Sequence, residues 1–232
     1  MAQVKRSGPI VAIDGPSGSG KSTLAKGLSR ALGLVHIDTG AMYRVVGLRA
    51  SESGVDVRDD RSLGLLCERL RIRFERRGDE VRVWEGERDV TEDIRRPEVS
   101  RLASDVSTNP SVRAALVAMQ RELGRTGGVV MDGRDVGTVV FPDADVKLYL
   151  EAEVEERARR RSAELDQRGT PEPPQATLQS MIERDTQDST RALAPLRPAV
   201  DAVRLDSTVL DAQQVLGRAI ELVRARAASL TR

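Results

Sequence analysis

Cysteine occurs once in the 232 residues, as Cys67, which excludes an internal disulfide and any cysteine-rich zinc site. Histidine also occurs once, as His36, so there is no histidine pair for a metal and no second imidazole for a proton relay. Aromatic residues make up 2% of the chain: Tyr43, Phe74, Trp84, Phe141 and Tyr149. So few rings argue against a stacking platform for single-stranded nucleic acid. Excess charge of either sign is missing too. Thirty-seven Lys and Arg face 36 Asp and Glu, for a net +1, and a bulk electrostatic grip on DNA or RNA would need a net basic face. No long apolar run occurs near the start. Pro9–Ile13 is far too short for a signal core or a membrane span, so the cytoplasm is the expected location.

What is present is the balance of a globular domain, 39% hydrophobic and 31% charged. The length suits one domain over 1–232. The β-branched run Ile10–Ile13 predicts a buried strand, Gly15–Gly20 a loop, and Ser22–Leu32 a helix that stops at Gly33. Val35–Ile37 predicts a second strand and Ala41–Ser51 a helix. Leu63–Leu70 has helical spacing, which makes Cys67 a core residue; the lone His36, at a strand end, is read as structural. Arg71–Glu75 and Val81–Glu85 alternate as strands around an Arg77-Gly78-Asp79 turn, an antiparallel insertion. Helices are expected at Pro97–Ser107 and Pro110–Gly124, the second capped by Asn109. The strand–helix rhythm returns with strands Gly128–Met131 and Val146–Leu150 and helices Glu151–Asp166 and Ala176–Gln187, around a proline-marked loop at Arg168–Gln175. After the connection Ala194–Pro198 come a strand at Ala202–Leu205 and a closing helix at Asp211–Ala228. The order predicts an α/β fold, a parallel sheet flanked by helices.

One motif carries chemistry by itself. Gly15-Pro16-Ser17-Gly18-Ser19-Gly20-Lys21-Ser22 matches G-x-x-x-x-G-K-[ST], with a strand entering and a helix leaving. Its glycines allow successive amides to turn inward as an anion cradle at a helix N-terminus. Lys21 then reaches the β- and γ-phosphates, and the Ser22 hydroxyl can ligate Mg2+. Gly15 through Thr23 are the expected ATP contacts. The loop implies nucleoside triphosphate binding and leaves the use of the nucleotide open. The guanine-reading Asn-Lys-x-Asp is absent, because Asn109 is the sole asparagine and proline follows it. No strand ends in Asp-Glu as in motor ATPases; the nearest sequence is Met131-Asp132-Gly133, where Asp132 is expected to support the phosphate loop. On the residues alone, kinases for uridylate, adenylate or an alcohol stay open, as does a nucleotide switch without turnover.

Two further segments, Asp38-Thr39-Gly40-Ala41-Met42-Tyr43-Arg44 and Asp132-Gly133-Arg134-Asp135, sit at predicted strand ends where ligand contacts gather in such sheets. With the glycine loop, with Val136-Gly137-Thr138-Val139-Val140-Phe141-Pro142-Asp143-Ala144, and with Arg184-Asp185, Arg191–Leu196 and Asp206-Ser207-Thr208, they make the chain resemble the bacterial cytidylate kinases over nearly its whole length. The resemblance implies a P-loop kinase fold using ATP with Mg2+ to phosphorylate CMP or dCMP. It implies a monophosphate-binding region over 39–125, with the inserted strands near 71–85, and a monomer free of nucleic-acid and membrane partners. By the same resemblance, cytosine contacts fall on Ser104, Arg113 and Asp135, and acceptor-phosphate contacts on Arg44 and Arg134, helped by Arg184 and Arg191. Ribose contacts fall on Thr39 and Asp188, and Tyr43 is a further CMP contact, with core packing as its alternative. Lys21, Arg134, Arg184 and Arg191 are the expected catalytic cations. The Arg-rich segment 157–191 is the expected helical lid; Arg157, Arg159, Arg160 and Arg161 are too crowded to assign, and a run with this charge spacing also describes a solvated helix face.

The chemistry agrees with those roles. Cytosine offers an exocyclic amino group to a carboxylate, whereas uracil would set a carbonyl against Asp135, leaving two acceptors facing each other. A monophosphate acceptor, with its second pKa of about 6, is already largely ionised at neutral pH. It needs no general base, only cations that offset the repulsion between two phosphates.

Overall fold

The strand β1 (Ile10–Asp14) is apolar for most of its length and buried throughout, because it pairs in parallel on both edges. One neighbour is β6 (Val129–Gly133) and the other β7 (Val146–Glu151). A strand with neighbours on both edges and helices on both faces has no solvent side, hence no polar alternation. The computed structural model, which describes residues 6–78 and 80–230, divides into two compact units, Met1–Val35 with Thr126–Arg232, and His36–Arg125.

In the first unit the sheet continues through β8 (Val203–Asp206), parallel to β7 with Leu148 opposite Val203 and Glu151 opposite Asp206. The full sheet order is β2-β6-β1-β7-β8. β2 (Val35–Asp38) is the strand through which the chain leaves this unit, and the Val35 amide donates to the Gly128 carbonyl at 2.9 Å. Around the sheet run α1 (Lys21–Leu32), α6 (Val154–Gln167), α7 (Pro174–Thr190) and α8 (Ala212–Leu230). Val11, Ile13, Leu24, Leu28, Leu148, Leu150, Leu205 and Val215 belong to one buried core. At 25 cal/mol per Å2 of apolar surface, each such side chain contributes roughly 1.5–3 kcal/mol.

The second unit is helical with a small antiparallel sheet. It holds α2 (Thr39–Glu52), α3 (Asp60–Arg69), β3 (Ile72–Arg77), β4 (Glu80–Glu85), β5 (Arg88–Asp89), α4 (Pro97–Val106) and α5 (Pro110–Leu123). β3 and β4 pair antiparallel with Phe74 opposite Val83, and β5 adds a short third strand. Its core includes Met42, Val45, Leu63, Cys67, Val99, Val106 and Leu116. Among the described residues no helix is long and apolar enough to cross a membrane.

Several boundaries differ from the sequence expectation for identifiable reasons. α2 begins at Thr39, two residues early, because the Asp38 carboxylate caps it by accepting from the Ala41 amide at 2.9 Å. α6 starts only at Val154, since β7 runs on to pair Glu151 with Asp206. α7 opens at Pro174 and not Ala176, with proline at the first helical position where its missing N–H costs nothing. Asn109 does stand at the N-cap position of α5 but caps nothing; its side-chain amide donates to the Val57 carbonyl at 2.9 Å. Asp60 supplies the cap instead, accepting from the Ser111 amide at 2.9 Å and its hydroxyl at 2.6 Å. β5 and a π-helical turn at Val136–Val140 were not expected. Asp79 of the expected hairpin turn lies outside the described residues.

Candidate functional site

The glycine loop runs from the end of β1 to the start of α1, as its motif demands. Gly15 has φ 151°, and a Cβ there would lie 2.0 Å from the Leu150 carbonyl oxygen, so no other residue fits. α1 opens on Gly20 with no side-chain cap and no acidic residue in its first turn, which leaves its first amides and its dipole facing the loop. Ser19 is buried, with its hydroxyl donating to the Pro16 carbonyl at 3.0 Å. Lys21 is buried as well; its ammonium donates to the same carbonyl at 2.5 Å. Burial, and then the neighbouring Arg134 and Arg184, hold Lys21 well below the usual lysine range, while Asp132 and Asp14 act in the opposite direction. Ser22, at the exposed end of the helix, donates to Asp132 Oδ2 at 2.8 Å. Asp132 is buried at the carboxyl end of β6, so an apolar strand ending in a single carboxylate meets the phosphate-loop serine.

Immediately beyond, Arg134 donates through Nε to Asp188 Oδ2 at 2.8 Å. Burial would favour the neutral acid at Asp188, yet Arg134, Arg184 and Arg191 together hold it below the usual carboxylate range. Burial likewise works against the Arg134 charge, but Asp188, Asp185 and Asp132 raise its pKa. Arg191, at the C-terminal cap of α7, donates to the Ala194 carbonyl at 2.7 Å and lies 3.7 Å from Asp188 Oδ1 and 4.0 Å from Asp135 Oδ1. Asp135, 6% exposed, begins the π-helical turn, whose Val139 and Val140 amides both donate to its carbonyl. The first unit therefore gathers Lys21, Ser22, Arg134, Asp135, Arg184, Asp188 and Arg191 into one mesh of cations and carboxylates.

The remaining candidate residues lie on the second unit. Thr39 is buried in the first turn of α2, and Arg44 one turn on pairs with Asp38 at 2.8 Å. Tyr43 packs against the apolar core of this unit. Ser104 is half-buried on α4, where its carbonyl accepts the Ser107 hydroxyl. Arg113 is 5% exposed on α5, with Nη1 donating to the Ser107 carbonyl at 3.4 Å. A buried guanidinium on an otherwise amphipathic helix is not surface decoration.

The crowded arginines of α6 separate in the structure. Arg159, Arg160 and Arg161 form helix-face pairs with Glu156 and Glu164, and Arg160 also reaches the Ser207 carbonyl at 2.7 Å. Arg157 is buried: it donates to the Ala152 carbonyl at 2.8 Å and the Ser17 carbonyl at 3.2 Å, and pairs with Asp185 at 2.6 Å. Sequence reasoning missed this strut under the phosphate loop, the Ser207 hydroxyl bound to the Ser19 carbonyl at 3.0 Å, and Asp14, whose carboxylate leaves β1 to hold the π-helical turn. Each carried a signal without a role: Arg157 among the crowded arginines, Ser207 in the Asp206-Ser207-Thr208 segment, and Asp14 as an acid closing an apolar strand just before the glycine loop.

Oxygen donors from Ser22 and Asp132 suit a hard cation shared with a nucleotide phosphate, since Mg2+ takes few protein ligands and keeps waters and phosphate oxygens. Among the described residues no cluster of three or more His, Cys, Asp or Glu could form an independent metal cage.

Comparison with known proteins agrees. The cytidylate kinase family profile matches residues 11–225. A cytidylate kinase of Citrifermentans bemidjiense is 50% identical over 216 residues, 93% of each chain. One from Geobacter sulfurreducens is 50% identical over 226 residues, 97% of each chain. A solved structure of an uncharacterized protein from Eubacterium ventriosum matches with TM-score 0.50 at 10% identity, covering 94% of this chain and 99% of its own, a likeness of fold alone. With half its residues shared across nearly its full length, and with the phosphate loop built as its motif requires, the chain belongs to the cytidylate kinase family, the nucleoside monophosphate kinases that act on cytidylate.

Proposed function

We propose that this chain transfers the γ-phosphoryl group of ATP to CMP or dCMP, releasing ADP and CDP or dCDP. The observation that carries the proposal is geometric: beside the glycine loop, with Ser22 bound to Asp132, Asp188 holds the Arg134 and Arg191 guanidinium groups at 2.8 and 3.7 Å. Cations fixed in place by carboxylates next to a phosphate loop suit a donor and an acceptor phosphate brought together. In this reading the amides of Gly15 to Gly20, with Lys21, Ser22 and Thr23, hold the ATP phosphates. Arg44, Arg134, Arg184 and Arg191 grip the acceptor phosphate, Thr39 and Asp188 the ribose, and Ser104, Arg113 and Asp135 the base, with Tyr43 as a further contact. Mg2+, held by Ser22 with Asp132 behind it, would supply charge neutralisation between donor phosphates.

The acceptor oxygen is already ionised, so the residues need only align it and offset charge. Asp135 accepts from the cytosine amino group, which disfavours uracil. Closure of segment 157–191 over the nucleotides excludes water. Near-neutral charge speaks against a nucleic-acid partner, the lone cysteine suits the cytoplasm, and the monomer is what the resemblance implies.

The test is ADP release with ATP and Mg2+ across CMP, dCMP, UMP, AMP, shikimate and gluconate. Turnover should be confined to CMP and dCMP, with Lys21→Ala abolishing it in a folded protein. UMP turnover equal to that of CMP, or full activity in Lys21→Ala, would overturn the proposal.

A further inference from the structure

Both oxygens of a buried carboxylate are committed at one place outside the contacts proposed above. Asp14, 4% exposed, accepts from the Val136 amide through Oδ1 at 2.8 Å and from the Gly137 amide through Oδ2 at 2.7 Å. Those amides open the π-helical turn directly after Asp135, so where they are pinned decides where the Asp135 side chain points. The turn then winds back on the same residue, with Val139 and Val140 donating to the Asp135 carbonyl at 2.8 and 3.2 Å. Asp135 has φ −147° and ψ 22°, so no regular element holds it. At Gly137 the turn packs closely on its neighbours, with Asp14 Oδ2 3.4 Å and the Lys147 side chain 3.3 Å from where a Cβ would sit.

We propose that Asp14 is a positioning residue for acceptor selection, clamping the turn that aims Asp135 while standing next to Gly15 of the phosphate loop. The inference rests on the reading of Asp135 as the group that selects the aminopyrimidine. Asp14 thereby gives donor loop and selecting carboxylate one shared anchor. Burial pushes its acid up to about 6 despite the two amides. The charged and titratable groups facing it are Asp135 from the turn, which raises it, Lys21 from α1, which lowers it, and Tyr149 from β7. An asparagine would remove the charge but serve one amide only, since its own N–H2 would face the other. Misplacement of a positioned group by about 1 Å costs on the order of 100-fold in rate.

The experiment compares Asp14→Asn, Asp14→Ala and Asp135→Asn in the full chain, measuring kcat/KM for CMP and for UMP and the KM for ATP. In Asp14→Asn the CMP value should fall about 10- to 100-fold, and further in Asp14→Ala. The CMP-to-UMP ratio should collapse toward that of Asp135→Asn, with the KM for ATP within about threefold of wild type. A merely structural role would move both substrates alike. A folded Asp14→Asn that keeps the wild-type ratio while Asp135→Asn loses it overturns this inference alone. If Asp135→Asn also keeps the ratio, the reading of Asp135 fails and takes the inference with it. Should the Asp14 variants not fold, hydrogen exchange in the wild-type chain decides. Protection factors at Val136 and Gly137 should drop as pH falls through about 6 while those of β1 persist, and unchanged protection overturns the clamp.

Discussion

A carboxylate whose pKa is raised by burial binds its proton more tightly in the native than in the unfolded chain. For Asp14 the native value of about 6 stands against 3.8 without the fold, about two units or ~3 kcal/mol. The native state therefore gains stability as pH falls from about 6 toward 4, and above 6 the buried charge is a constant burden. In urea denaturation the wild type should accordingly gain about 2 kcal/mol relative to Asp14→Asn between pH 7.5 and 4.5, the rest following only below the unfolded value. No relative gain would mean that Asp14 is not ionised at neutral pH. Arg157 is a second residue whose role is local. Truncating it to alanine leaves Asp185 without its ion pair and the Ser17 carbonyl without a donor. The KM for ATP in Arg157→Ala should rise at least about tenfold with a smaller change for CMP, read from initial rates over both substrates.

At the scale of elements, the ends rather than the middles carry the lesson. The apolar cores of β1, β6 and β7 and the amphipathic stretches of α1, α3 and α8 are local properties, legible from spacing. Asn109 followed by proline has every mark of a cap, yet its amide is drawn to the Val57 carbonyl, and Asp60, 51 residues away, takes the cap. Local rules cannot see a competitor that arrives from another helix. Asp60→Ala should therefore destabilise the chain by about 1–2 kcal/mol through loss of the α5 cap. The measurement is the urea midpoint at constant m-value, with Asn109→Ala compared as loss of the Val57 contact. The π-helical turn was invisible for the same reason, being wound around a carboxylate that enters from β1.

Across the molecule, the two units have separate apolar cores, and the lone thiol sits in one of them. Cys67 is 1% exposed, and burial raises its thiol to about 11. At pH 8 it should resist aromatic disulfide reagents in the native chain and react only as His36–Arg125 opens, so its labelling rate should follow urea in step with the loss of helical circular dichroism. Immediate labelling without denaturant would contradict the packing of α3.

Periodicity and one glycine motif were enough to determine an α/β fold with a nucleotide-phosphate loop, because hydrophobic spacing and the backbone freedom of glycine are written in neighbouring residues. The tertiary structure alone decided which charges meet: Arg134 with Asp188, Arg157 with Asp185 and the Ser17 carbonyl, Asp14 with the turn behind Asp135. Each of these partners is brought by a different strand or helix. Electrostatic pairing depends on distance in space and on the loss of water, and neither is encoded by adjacency along the chain.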